Sequence, residues 1–359
     1  MKIGIIGTAK AGKTTIFNTI TGLDAGTGLY DQKIEPNIGT VQVLDERITH
    51  LSEIYKPKKT IYATTEFLDF PGMQENAENH EFLSAVSMNL MRTTDALMVV
   101  LRNFSEPVLD DTYGKADPLD HIRRISEEFI LSDLVIAENR LEKIELGYKR
   151  GIRTPAVQIE EKAIRTIIEA LGNEIPLRKI TLPEEELKAV RGFQFLSLKP
   201  IMVILNSDEK NFNQNQEILD KLSALDYLPI EFAGKFEMEL SRMDETEAAI
   251  FMEDIGIKES GILRVTKTAY HLLGYISFFT VGPDEVRAWT INKGDNAVTA
   301  AGKIHSDLAR GFIRAETFCY ADIVTHGSEK VIREKGLFRL EGKTYLVQDG
   351  DILNIRFNV

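Results

Sequence analysis

The chain of 359 residues has a single cysteine, Cys319, and a single tryptophan, Trp289. One thiol excludes an internal disulfide and fits a reducing compartment. The six histidines, His50, His80, His121, His271, His305 and His326, follow neither H-E-x-x-H nor Cys/His zinc spacing, so no transition-metal site is assigned. G-x-S-x-G and G-x-G-x-x-G are both absent, which removes the hydrolase elbow and the dinucleotide fingerprint. No apolar stretch approaches the length of a membrane span, and the first residues already read as a core strand. Neither membrane insertion nor a signal peptide is expected. Basic residues are also in deficit: 43 Lys and Arg against 55 Asp and Glu leave a net charge of −12. That balance disfavours indiscriminate binding to nucleic-acid phosphates and gives no expectation of DNA sequence recognition. A local basic patch could still dock on RNA. The expectation is a cytoplasmic protein of two or three domains with ample capacity for a core.

What is present is a complete G-x-x-x-x-G-K-[ST] loop at Gly7–Thr14, a pattern expected by chance in roughly one chain of this length per hundred. The apolar run Ile3-Gly4-Ile5-Ile6 precedes it, and a helical pattern from Thr15 to Ile20, ending at Gly22, follows. This strand–loop–helix context is what the motif requires. Successive backbone N–H groups curl around an anion, and the helix adds its positive end. The candidate nucleotide-binding set is Gly7, Lys10, Ala11, Gly12, Lys13, Thr14 and Thr15. Lys13 would reach the β- and γ-phosphates, and the Thr14 hydroxyl would ligate Mg²⁺.

From residue 1 to about 125, short apolar runs alternate with helical stretches, the mark of an α/β fold with a mostly parallel, doubly wound sheet. Candidate strands are Lys2–Ile6, Ile61–Phe70 and Ala96–Arg102, resuming at Pro200–Leu205 and Leu228–Phe232. Between them, Leu134, Ala137, Leu141, Ile144 and Tyr148 repeat at 3-4-3-4 spacing, the seam of a packed helix pair. A second helix is read over Glu160–Leu171, and Pro183 followed by three glutamates starts a short third. The expected organisation is therefore a P-loop domain of residues 1–125 plus 200–276, an inserted helical arm at 126–199, and a C-terminal domain at 277–359. In the last, Ser277–Val281, Val286–Ile291, Leu337–Leu340, Thr344–Val347 and Ile352–Phe357 read as strands of a small mixed sheet grasping one helix.

Two further motifs extend the nucleotide site. Asp69-Phe70-Pro71-Gly72 ends a strand and matches D-x-x-G, where the Asp holds the Mg²⁺ shell and the Gly72 N–H senses the γ-phosphate. Asn206-Ser207-Asp208-Glu209 stands where a GTPase carries Asn-Lys-x-Asp. Glu209 is one methylene longer than the Asp that accepts two hydrogen bonds from guanine, so its oxygens misplace for that base. Adenine offers an amine where guanine offers a carbonyl. ATP is therefore the expected ligand and substrate, with GTP weaker. Ala233 and Gly234 fall where a backbone contact to the base edge belongs.

The ordered set Gly7–Thr14, Ile34-Glu35-Pro36-Asn37, Asp69–Gly72 and Asn206–Glu209 resembles the Obg-like ATPases, the YchF branch of the translation-factor GTPases. The strings Phe278–Pro283, Val286–Thr290, Gly311–Glu316 and Val347–Asp351 are similar to that family's TGS domain, a β-grasp module, so the match spans essentially the whole chain. The resemblance implies a G domain with a helical coiled-coil arm, a TGS domain, ATP hydrolysis with Mg²⁺, and association with ribosomes or RNA. Glu in place of the GTPase Asp is also that family's habit.

Three residues depart from the family pattern. Lys10 replaces an Asn, Lys33 replaces the Thr that completes the Mg²⁺ shell, and Asp111 stands where a loop around 103–116 carries a His proposed to act in hydrolysis. A protonated Lys has no lone pair, so Lys33 cannot ligate metal. Met73, after the D-x-x-G, cannot orient a water, and this does agree with the family. Lys10 is assigned, with Lys13, a catalytic role: its ammonium would sit near the β–γ bridging oxygen, where related enzymes hold potassium. A solvated Lys10 is the competing reading, and Lys33 could pair with the γ-phosphate or lie on the surface. Turnover is expected to be slow. Lys143, Lys149, Arg150, Arg153, Lys162 and Arg165 are either a solvated face or one wall of an RNA-facing groove. The functional alternatives are an ATP-driven switch, a GTP-hydrolysing translation or assembly factor, and a nucleotide-binding protein with little hydrolysis.

Overall fold

The computed structural model describes residues 1–26, 36–72 and 85–358. Lys33, Ile34, Glu35 and Met73 lie outside the described residues. The described residues contain twelve strands. In chain order these are β1 (Lys2–Ile6), β2 (Asn37–Gln42), β3 (Lys59–Ile61), β4 (Thr64–Asp69), β5 (Ala96–Asn103) and β6 (Ile201–Ser207). There follow β7 (Leu228–Phe232), β8 (Tyr275–Thr280), β9 (Glu285–Asn292), β10 (Phe312–Cys319), β11 (Arg339–Glu341) and β12 (Asp351–Phe357).

The first sheet runs β2-β4-β1-β5-β6-β7. The pairs β4–β1, β1–β5, β5–β6 and β6–β7 are parallel. Strands buried on both faces read as continuous apolar runs rather than alternating ones, and β5 and β6 do so. One face packs Val99, Leu101, Val203 and Leu205 against Ile122, Ile125 and Phe129. Parallel order brings the C-terminal ends of β1, β4, β5 and β6 to one edge, where α/β proteins seat ligands.

Helix Pro118–Lys149 is continuous for 32 residues. Its first turns cover the sheet, and its later turns pair with helix Pro155–Gly172 through Ile130, Ala137, Ile164 and Ile167. The boundary read at residue 126 thus falls inside one helix. The sequence seam registered only from Leu134 because the earlier turns face a sheet instead of a helix. The second arm helix begins at Pro155, earlier than the Glu160 read from its apolar spacing, because Thr154 accepts a hydrogen bond from the Val157 N–H and Pro155 occupies the first turn. The bidentate Arg140–Glu160 pair ties the two helices, with both N–O distances at 2.7 Å.

The chain divides into two compact units, Met1–Gly39 with Glu66–Ile262, and Thr40–Thr65 with Leu263–Val359. The expected boundaries kept residues 40–65 wholly in the nucleotide domain, and the packing is otherwise. Ile48 and Leu51 of helix Glu46–Tyr55 are buried with Phe279, Val286, Phe318 and Ile352. Arg47 bonds Asp349 at 2.8 Å, Tyr55 donates to Glu329 at 2.8 Å, and β3 pairs in parallel with β9. The second sheet, β11-β10-β12-β8-β9-β3, is mixed as expected. It is covered on both sides, however: helix Ala297–Ile304 on one, and helices Glu46–Tyr55, Tyr320–His326 and Glu329–Glu334 on the other. Thr344–Val347, which alternates like a strand, forms among the described residues a single bridge, Asn296 to Leu346.

Candidate functional site

β1 ends at Ile6, and the loop that follows turns into helix Lys13–Thr21. The turn needs glycine at position 12. Its φ of 93° is left-handed, and a Cβ there would lie 2.1 Å from Asn206 Nδ2. Lys10 also adopts a left-handed φ, of 60°, with no such exemption. Gly7 and Ala11 are buried, and Thr15 is half-buried in the first helical turn.

Lys13 is only 6% exposed and donates to the Thr8 carbonyl at 3.0 Å. Burial brings its ammonium down to about 8, Asp69 opposes the shift, and Lys10 adds to it. Lys13 and Lys10 make the loop electropositive, and a polyanion entering it would push the Lys13 pKa back up.

Asp69 ends β4, opposite Ile5 of β1. Its Oδ2 accepts from Thr14 Oγ1 at 2.8 Å and from Asn37 Nδ2 at 3.3 Å. Its Oδ1 is buried with no partner among the described residues. Burial raises this carboxyl above its ordinary value, against the opposing effects of Thr14, Lys13 and Asn37. A buried carboxylate oxygen lacking a partner beside a threonine hydroxyl suits a hard, oxygen-seeking dication, so these residues fit Mg²⁺. Asn37, in the family-like string but given no role of its own, is part of this cluster. Gly72 closes the same end: a Cβ on it would meet Ala9 Cα at 2.8 Å and Lys13 Nζ at 3.1 Å.

Asn206 joins the phosphate loop to the segment after β7. Asn206, 5% exposed at the end of β6, donates from Nδ2 to the Ala11 carbonyl at 2.8 Å and accepts at Oδ1 from the Gly234 N–H at 3.1 Å. The phosphate loop, Asn206 and Gly234 are thus one hydrogen-bonded unit. Ala233 is buried, and its N–H is held by Glu237 Oε1 at 3.1 Å. Glu209 is exposed and has no partner among the described residues. Asp208 turns back onto the Asn211 N–H at 2.9 Å.

Some expected features are arranged differently. The segment at 103–116 includes a short helix, Pro107–Tyr113, held by Arg102 through Asp110 and the Gly114 carbonyl. Asp111 on that helix is exposed. On the arm, Lys162 pairs with Glu186 at 2.8 Å, Arg165 pairs with Glu145 and Glu161, and Arg153 lies over the Tyr148 ring. Half of that basic cluster is therefore already occupied. Trp289 stacks on Phe278, donates to Thr280 Oγ1 at 3.0 Å and carries the Arg287 guanidinium on its face. It is a packing residue of the second sheet.

A phosphate loop after the first strand of a parallel sheet, a strand-end Asp beside it, and an Asn linking it to a second loop define a P-loop nucleotide-binding protein of the GTPase-like class. Residues 2–140 match a family model described as "50S ribosome-binding GTPase", and residues 275–358 match the YchF-GTPase C-terminal model, described as "Protein of unknown function (DUF933)". The chain is 38% identical to the ribosome-binding ATPase YchF of Bacillus subtilis over 99% of both chains. It is also 38% identical to that of Haemophilus influenzae, over 100% of this chain and 99% of the other. The solved structure of the Schizosaccharomyces pombe YchF GTPase superimposes with a TM-score of 0.86 at 29% identity, covering 99% of this chain and 97% of that one. The chain belongs to the YchF family.

Proposed function

We propose that this protein binds and slowly hydrolyses ATP, with Mg²⁺, as a cytoplasmic molecular switch read by the ribosome. The observation that carries the reading is the single bonded unit of phosphate loop, Asn206 and Gly234, with Lys13 buried at one end and Glu209 open at the other. Lys13 holds the β- and γ-phosphates, while the amides of Gly7–Thr15 cradle them. Thr14 and Asp69 hold Mg²⁺, which supplies charge neutralisation at the phosphates. Lys10, fixed in the loop close enough to lower the Lys13 pKa, stabilises charge that develops on the bridging oxygen. Glu209 accepts from the adenine amine, and Ala233 and Gly234 flank the base.

The names of the relatives support ribosome binding, and they differ on the nucleotide: the bacterial proteins are called ATPases, the fission-yeast protein a GTPase. The extra methylene of Glu209, where a GTPase carries Asp, supports the adenine reading. Slow turnover is expected because Met73 is apolar and cannot orient a water, and because Lys33 and Asp111 replace the Thr and His of the family pattern. Single-turnover hydrolysis of ATP and of GTP, with and without ribosomes, tests the proposal. Faster ATP cleavage on ribosomes is expected. Equal rates for both nucleotides, indifferent to ribosomes, would overturn it.

A further inference from the structure

Glu231 is a carboxylate on β7, opposite Leu205 of β6 and 9% exposed. A charge so placed needs partners, because burial without them is costly. Its Oε1 accepts from Ser207 Oγ at 2.7 Å and from Asn215 Nδ2 at 2.6 Å. Its Oε2 accepts from the Asn213 N–H at 3.0 Å, and Asn213 has a left-handed φ of 64°. Asn103, at the end of β5, donates to Ser207 Oγ at 2.9 Å, so the network reaches a third strand. Ser207, Asn213 and Asn215 all lie on the loop that leaves Asn206 and carries Glu209. One buried carboxylate thus clamps that loop at its start and near its end, while Glu209 projects from the span between.

We propose that Glu231 is a positioning residue that fixes the 207–215 loop, and through it Glu209, so that the protein discriminates between purines. The inference rests on the reading that Asn206–Glu209 meets the base. Loop position matters because a hydrogen bond to a base edge tolerates only a few tenths of an ångström before it weakens. The phosphate loop is anchored separately, through Asn206 to Ala11 and Lys13 to Thr8. Loosening Glu231 therefore affects the nucleoside and spares the polyphosphate.

The test is E231Q, which keeps the shape and turns one carboxylate oxygen into a donor. With its oxygen toward Ser207 and Asn215, the new amide faces the Asn213 N–H; flipped, it faces Asn215 Nδ2. One donor–donor clash remains in either setting. Calorimetric titrations of ATP, GTP and inorganic tripolyphosphate, with Mg²⁺, are run on both full-length proteins. The expected result is a loss of about ten-fold in ATP affinity, tripolyphosphate binding unchanged, and an ATP-to-GTP ratio moved toward one. S207A, which removes the donor to Glu231 and the acceptor of Asn103 but introduces no donor–donor clash, shifts the same ratio by about three-fold. An equal loss for ATP and tripolyphosphate, or no change in the ratio for either variant, overturns the proposal. A native protein that binds ATP and GTP no better than tripolyphosphate refutes instead the underlying assignment of the base site.

Discussion

Asn206→Asp changes one heavy atom at the point where the phosphate loop is joined to Gly234. The native side chain donates to the Ala11 carbonyl at 2.8 Å and accepts from Gly234 at 3.1 Å. In the variant the second bond survives, while an oxygen faces the Ala11 carbonyl at the former bonding distance. Losing that bond and leaving a buried carbonyl unpaired costs about 1–3 kcal/mol. Burying a carboxylate with one remaining donor brings the total to roughly 2–4 kcal/mol at neutral pH. That is a large part of a typical domain stability of about 5–15 kcal/mol. Urea unfolding of the nucleotide-free protein, extrapolated linearly, measures it. The sign with pH is distinctive. A proton on the new carboxyl restores a donor toward Ala11, so its folded pKa lies above the unfolded value of about 3.9. The deficit is therefore smallest below that value and grows as pH rises through the folded pKa. Asn206→Ala, which removes both bonds, shows no such trend. A deficit under about 0.5 kcal/mol at neutral pH, or one that is flat from acid to neutral, would refute the coupling of the two loops.

Lys13→Met should stabilise the nucleotide-free protein and abolish ATP binding, because lowering the ammonium from 10.5 to about 8 corresponds to roughly 3 kcal/mol of disfavoured charge at neutral pH. In the native protein this cost is present below pH of about 8 and vanishes as pH rises toward 10.5, so apo stability climbs across that window while triphosphate affinity falls. Melting curves and titrations against pH check both trends, and neither should survive in the variant. Asp69→Asn should cut the Mg²⁺ enhancement of ATP affinity by about ten-fold or more and leave binding in chelator nearly unchanged, as titrations with and without metal would reveal. Lys10→Asn should slow ATP cleavage and make the residual rate respond to potassium; an unaltered rate with no response to the cation would place Lys10 outside the chemistry.

The parts of the site that could be read directly were those whose chemistry depends on neighbours in sequence. Gly7–Thr14 announces itself because a phosphate cradle is built from consecutive amides, and Asp69 because D-x-x-G closes a strand-like run after that loop. Order along the chain places Asn206, but its two hydrogen bonds, to the Ala11 carbonyl and from the Gly234 N–H, span 195 and 28 residues, which no local pattern encodes. Glu231 was invisible for the same reason: in sequence it is one polar residue in the run Leu228–Phe232, indistinguishable from an outward-facing strand position. Residues 40–65 misled because their strand-and-helix texture suits either sheet, and only the pairing of β3 with β9 and the burial of Ile48 and Leu51 decide between them. The Thr154-Pro155 helix start was legible in retrospect; the apolar count overlooked it because the first turn faces solvent.

The account depends on a purine triphosphate lying with its phosphates at Lys13 and its base at Glu209. Calorimetric titration of the purified full-length protein with ATP and then GTP, each with Mg²⁺, measures this most directly. The account predicts one site per chain, with ATP bound tighter than GTP by about ten-fold or more. Tighter binding of GTP would contradict the assignment of the base, and uptake of neither nucleotide would contradict the site itself.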